Sequence, residues 1–220
     1  MKKYYQLLLI WGVIIGLTSC QKEVNENDIT NPGSGPVPAD TIPNNPGNNT
    51  EVGTWKFMSV QATGSQTAEF SEAGVPVKAV TATNFTSEKN SGTITFDSAK
   101  MTATNVSLTV ITTAKTLIYM AGLLYDSLQV PINETVSPQS ATSSYRKIGA
   151  DSLHFQDGAF LDALTGGLLP NVPTGCKVAF EGTNIMKLTI VFDTVTTQDY
   201  QGIPAKLTIR TVLVATLQKQ

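Results

Sequence analysis

From Glu51 to the C-terminus, apolar and polar side chains alternate with a period of two, and this pattern constrains the fold of the 220-residue chain more than any other feature. Met186, Leu188, Ile190 and Phe192 share one face of their segment. Leu207, Ile209, Leu213, Ala215 and Leu217 share a face opposite Lys206, Thr208 and Arg210. Ile94 with Phe96, Val106 with Leu108 and Val110, Leu153 with Phe155, and Cys176 with Val178 and Phe180 repeat the theme. Successive side chains of a strand point to opposite faces, so each run reads as a strand with one buried and one wet face. Glu181-Gly-Thr-Asn184 reads as a hairpin loop, and Lys147 to Asp151 as a second turn. The expectation is a mainly β domain of eight to ten short strands: an antiparallel barrel of about eight strands, with a β-sandwich as the alternative.

Two stretches depart from that period. Between Ala114 and Val130, the residues Leu117, Met120, Ala121, Leu124 and Leu128 recur at helical spacing, which predicts one short helix weakened by Gly122. Gly158 to Pro170 is apolar yet rich in turn residues, and reads as a cap over one end of the β core.

The N-terminus has a different logic. Lys2 and Lys3 precede an apolar run from Leu7 to Leu17 of about 11 residues, short of the roughly 20 that a spanning helix needs. Leu17-Thr18-Ser19-Cys20 closes the run. This order resembles the bacterial lipoprotein signal, in which the chain is cut before a cysteine that carries the acyl chains. The resemblance implies a signal peptide over residues 1–19, lipidation of Cys20 (palmitate-like chains), and a membrane partner reached through that anchor. Acyl chains contribute about 0.8 kcal/mol per buried methylene, so several chains hold a protein firmly. The implied location is the outer membrane, on its periplasmic or cell-surface side.

Residues 20–50 read as a tether rich in Asn, Pro, Gly and Thr, followed by the β domain over residues 51–220. Such a composition buries too little apolar surface to offset ordering entropy, and roughly 30 residues of loose coil span on the order of 30 Å. Gln21-Lys22-Glu23, with Glu26 and Asp28 after it, is similar to the surface-export signal of Bacteroidetes lipoproteins. Removing Lys2 and Lys3 from the 15 basic residues leaves 13 against 17 acidic, a net charge of −4, which argues against nucleic acid as a partner. With Cys20 acylated, Cys176 is the only other cysteine, so no intramolecular disulfide forms and stability must come from the core.

Gly53-Thr54-Trp55 opens the first strand and resembles the Gly-x-Trp signature of lipocalins and of lipocalin-like domains in bacterial lipoproteins. In that family the Trp plugs the closed end of an eight-stranded barrel and an Arg from the last strand packs on it. The resemblance therefore implies that Arg210 stacks on Trp55 by a cation–π contact. Gln198-Asp199-Tyr200 stands where lipocalins carry Thr-Asp-Tyr, although Gln replaces Thr and the helix that usually precedes the last strand is missing.

A second resemblance involves five triplets: Asp40-Thr41-Ile42, Asp97-Ser98-Ala99, Asp126-Ser127-Leu128, Asp151-Ser152-Leu153 and Asp193-Thr194-Val195. They are similar to the Bacteroidetes O-glycosylation signal, which implies glycans on Thr41, Ser98, Ser127, Ser152 and Thr194. Asp-Ser and Asp-Thr also favour turns for local hydrogen-bonding reasons.

Chemistry-bearing constellations are not visible. The single histidine, His154, lies between Leu153 and Phe155 and so on the face opposite the core. Cys176 alternates with Val178 and reads as a small buried residue. Phosphate-loop, dinucleotide and zinc spacings do not occur, so neither cofactor nor metal is expected. The reading is non-catalytic: a lipocalin-like lipoprotein that holds a small apolar ligand, entered past Phe160, Leu161, Leu164, Leu168 and Leu169. The alternative is an accessory lipoprotein that docks on envelope proteins or glycans and has no pocket.

Overall fold

The computed structural model describes residues 50–156, 173–200 and 202–220. They belong to one compact unit, Asn49–Gln220. Among the described residues there is no helix. Nine strands occur: β1 (Gly53–Glu72), β2 (Val75–Thr86), β3 (Glu88–Phe96), β4 (Lys100–Met120), β5 (Leu123–Ile148), β6 (Ser152–Phe155), β7 (Gly175–Glu181), β8 (Ile185–Tyr200) and β9 (Ile203–Lys219).

All nine lie in one antiparallel sheet in the order β2-β1-β3-β4-β5-β6-β7-β8-β9, and additional pairings join β2 to β4 and β1 to β9. The β1–β9 ladder runs from Trp55↔Lys219 to Glu69↔Lys206, so the first and last strands close the sheet into a ring. β1 pairs with β3 over Gly53 to Lys56 and with β2 over Gln61 to Glu72. β2 and β3 also share the next neighbour, β4. They therefore occupy one place between β1 and β4, and the ring has eight places around its circumference.

Ser87 is the joint between β2 and β3. Its backbone N–H donates to the Val60 carbonyl at 2.8 Å, and its hydroxyl accepts the Val60 N–H at 2.7 Å. The same hydroxyl donates to Asn90 Oδ1 at 2.7 Å, and Asn90 Nδ2 returns a bond to the Ser87 carbonyl at 3.0 Å. A buried serine thus supplies the ladder partner that the interrupted strand lacks.

Around the same waist the ladders shift register: between Phe57 and Ser59 in β1, between Glu88 and Thr93 in β3, and between Ala103 and Leu108 in β4. Bulges bend strands and increase twist, which a small closed sheet needs. Gly92, at φ +105°, has no room for a side chain against β4: a Cβ there would lie 2.6 Å from both Asn105 O and Val106 Cα.

The alternation reads correctly on most strands. Ile94, Phe96, Val106, Leu108, Val110, Leu153, Phe155, Cys176, Val178, Met186, Leu188, Ile190, Phe192, Leu207, Leu213, Ala215 and Leu217 are all buried. Trp55, Phe57, Phe96, Phe155, Met101 and Met186 are the largest fully buried side chains besides Ile94, Leu153 and Leu188, and they fill the ring from its Trp55 end. Each such side chain contributes about 1.5–3 kcal/mol by leaving water.

Three expectations are corrected. The helix over Ala114 to Val130 is instead the end of β4, a turn at Ala121-Gly122, and the start of β5. Thr112, Thr113, Thr116 and Ile118 favour strand, and the inward row is Ala114, Thr116 and Ile118, a period of two that the leucine spacing masked. The strands are not all short: β1, β4 and β5 have 20, 21 and 26 residues. Finally, the sheet is single and continuous rather than the two facing sheets of a sandwich.

The waist gives a direct test. Gly92→Ala should lower stability by about 2 kcal/mol or more, through the left-handed φ and the 2.6 Å contacts. Ser87→Ala should cost about 1–3 kcal/mol, because the Val60 N–H loses its acceptor inside the sheet. Urea midpoints unchanged in both variants would contradict the role assigned to this joint.

Candidate functional site

The Trp55 end is fastened by polar contacts around an aromatic plug. The Trp55 indole N–H donates to the Glu51 carbonyl at 2.7 Å, and Trp55 is 1% exposed. Glu51 is itself buried, and its carboxylate meets Lys147 Nζ at 3.0 Å. Phe180 lies 6.2 Å from Trp55, centroid to centroid, and Lys219 Nζ sits 5.7 Å over the indole. Beside them Tyr145 packs edge-on against Phe96 at 5.5 Å and donates its hydroxyl to the Asp97 carbonyl at 2.6 Å.

Lys219 therefore takes the place over Trp55 that the lipocalin resemblance gave to Arg210. In the β1–β9 register, Arg210 is opposite Ser65, ten residues along β1 from Trp55, or roughly 30 Å away. Arg210 projects into solvent instead and pairs with Asp193 at 3.3 Å. β9 starts close after the end of β8, and its final residue, not its middle, lies opposite Trp55.

The other half of the ring has a different interior. Beyond the waist the wall runs β5-β4-β2-β1-β9-β8, and β6 and β7 stop at Phe155 and Gly175. The inward side chains here mix sizes: Ala68, Ala79, Ala114 and Ala205 are buried beside Val77, Ile118, Phe192 and Leu207, and Thr81 and Thr116 face each other with hydroxyls 2.8 Å apart. At Gly64 a Cβ would lie 2.6 Å from Thr211 Oγ1, so β1 and β9 pack closely at that point. On β5, Leu128, Val130 and Ile132 form a half-buried apolar row against Thr116, Ala114 and Thr112 of β4. Among the described residues, β5 and β8 are not paired to each other in this half. The expected entrance residues Phe160, Leu161, Leu164, Leu168 and Leu169 fall outside the described residues, as do Cys20 and Thr41.

The four remaining Asp-Ser/Thr sites are scattered. Ser98 is exposed in the β3–β4 turn and Ser127 is exposed on β5, whereas Ser152 and Thr194 are half-buried. Their aspartates serve local geometry in three cases. Asp97 accepts the N–H groups of Ala99 and Lys100 at 2.7 and 2.5 Å, Asp126 accepts the Ser127 N–H, and Asp151 accepts the Ser152 hydroxyl. The two backbone donors hold the Asp97 carboxyl below its ordinary range.

No group of three metal-ligating side chains converges among the described residues. His154 is half-buried on the face opposite Leu153 and Phe155. Cys176 is buried, and loss of solvent pushes its thiol up to about 12. Burial, and then the charges of Glu51 and Asp97, push the Tyr145 phenol up to about 12 as well. Two features escaped the sequence reading: the Ser87–Asn90 joint, and the exposed run Leu123-Leu124-Tyr125 at the β4–β5 turn. The signal for the second was the Ala-Gly dipeptide at 121–122, a two-residue hairpin pattern hidden under an apparent helical period.

The chain matches no family model, no curated protein and no solved structure.

The two raised acids set an alkaline limit. Unfolded, they ionise near 9 for Cys176 and 10 for Tyr145; folded, they stay neutral to about 12. The unfolded chain thus binds fewer protons above 9, and stability should fall as pH rises from 9 towards 12. Urea midpoints across that range should decline, and the double variant Cys176→Ala, Tyr145→Phe should flatten the decline. A thiol reagent at neutral pH should leave Cys176 unmodified until the domain is unfolded.

Proposed function

We propose that this chain is an exported lipoprotein, anchored through acylated Cys20, whose lipocalin-like barrel is non-catalytic and takes one small apolar or amphipathic ligand. The observation that carries the ligand reading is the half-buried row Leu128, Val130 and Ile132, which lies on the inward face of β5 where the ring has no partner strand among the described residues. The pairing of first and last strands supports a barrel over a sandwich. Trp55 and its neighbours fill one end with side chains, so the place for a ligand is the other half, where β5 has one edge without a partner among the described residues. A ligand there would enter between β5 and β8 and lie along the row, with the Thr81–Thr116 hydroxyls as its polar contact.

The accessory reading has an observation of its own. Val191, Val195 and Val212 are 62, 58 and 41% exposed on the outer face of β8 and β9, and Val191 and Val212 are cross-strand partners. A protein docking on that face would cover them.

Titration with an anilinonaphthalene sulfonate and with a sixteen-carbon fatty acid should show saturable binding with competition between the two. Val130→Asp should abolish it with the far-UV spectrum retained. Absence of saturable binding to the unaltered chain would remove the ligand reading. Separately, expression with a clickable palmitate analogue in a lipoprotein-processing bacterium should label the chain, and Cys20→Ala should lose both the label and the cleavage of residues 1–19.

A further inference from the structure

Apolar side chains exposed on a folded surface are usually scattered singly. Here three are consecutive: Leu123, Leu124 and Tyr125 are 76, 61 and 60% exposed. Val75, on the neighbouring hairpin, is 37% exposed. The two hairpin tips are fastened together, since Val77 pairs with Met120 and the Ala121 N–H donates to the Pro76 carbonyl at 2.9 Å. They form the end of the sheet opposite Trp55, at the far end of the 20-residue strand β1 and so roughly 60 Å from it.

The turns themselves repeat one choice. Both are two-residue connections with positive φ at both positions: Ala73 at 50° and Gly74 at 83°, Ala121 at 50° and Gly122 at 81°. Asn or Asp is the favoured residue at the first position of such turns, because its side chain tolerates the left-handed region. Ala has no such compensation and strains the backbone by about 1–2 kcal/mol. The chain accepts that strain at both tips, and from Met120 to Leu124 it carries no polar side chain.

We propose that these paired tips insert into the headgroup region of a zwitterionic lipid bilayer, with Leu123 and Leu124 at the acyl boundary and Tyr125 at headgroup level. Shape and charge favour lipid. The patch is a pair of projecting turns rather than a pocket, whereas anchor residues of protein interfaces fill pockets. Tyr beside leucines suits the membrane interface, where the ring is apolar and the hydroxyl stays wet. The charges that flank the turns are Glu69 and Lys78, which pair at 3.6 Å, Lys206 opposite Glu69 on β9, and Glu72 and Asp126. Their sum is negative, so anionic headgroups are repelled and apolar burial is the driving force. The proposal depends on neither the Cys20 anchor nor a ligand.

The test places a probe at the tip. The full chain carrying Cys20→Ser and Leu124→Cys is labelled with an environment-sensitive nitrobenzoxadiazole; buried Cys176 stays unlabelled. A control carries the label at Thr104→Cys, an exposed position of β4 on the Trp55 side of the waist, far from the tips. With phosphatidylcholine vesicles, emission at Leu124 should rise roughly twofold or more and be quenched by nitroxide-bearing lipid, while the Thr104 probe stays unchanged. Adding Leu123→Asp should abolish the quenching without moving the urea midpoint. An unquenched Leu124 probe that behaves like the Thr104 probe overturns the proposal, and is the result expected of a tip that seats a protein instead.

Discussion

The ladder between β1 and β9 is the constraint on which the molecule depends. It joins Trp55 to Lys219 and Glu69 to Lys206, residues separated by most of the domain. Without it β9 and β1 would each present an unpaired edge, and the inward faces of β1, β8 and β9 would lose the wall that shields them. Closure also fixes the chemistry of the Trp55 end, because it is the register of this ladder that brings Lys219 over the indole. The bulges at the waist are consequences of the same demand: a sheet of eight places must bend sharply to meet itself, and the bends fall near Ser59, Gly92 and Asn105.

Burial in the far half follows from this closure. There Ala68, Ala79, Ala114 and Ala205 are buried beside Val77, Ile118, Phe192 and Leu207, while the Trp55 half holds most of the aromatic side chains and the methionines. One sheet therefore has two interiors, one packed with large groups and one in which small and large groups mix. The division is at the waist, where Gly92 brings β3 and β4 together.

Much of this was legible in the residues. Alternation assigns the inward faces of β7, β8 and β9 residue by residue, because each has one wet face. The turn at Glu181 to Asn184 was visible from its Gly and Asn. The failures share a cause, which is that local pattern carries no pairing register. Arg210 sits in the last strand as expected, but only the ladder shows that it lies opposite Ser65 rather than Trp55. Between Ala114 and Val130, Leu117, Met120, Ala121, Leu124 and Leu128 at spacings of three and four imitate a helix, although Leu124 is exposed beside a turn and joins no buried face. The candidate site was legible only in part for the same reason. Leu128, Val130 and Ile132 alternate in the sequence, yet their neighbours Thr116, Ala114 and Thr112 come from the preceding strand through a register that the sequence does not display.

The break at Ser87 has a bearing on how the chain reaches this state. Were β2 and β3 continuous, residues 75–96 would form one strand that needs partners along its whole length at once. Cut at Ser87, the segment divides between two local hairpins, β1 with β2 and β3 with β4, each joined by a tight connection and each able to form within microseconds. A single hydroxyl then splices the two ready-made pieces into one lane of the ring, so that neither piece has to wait for a partner distant in sequence before it can pair.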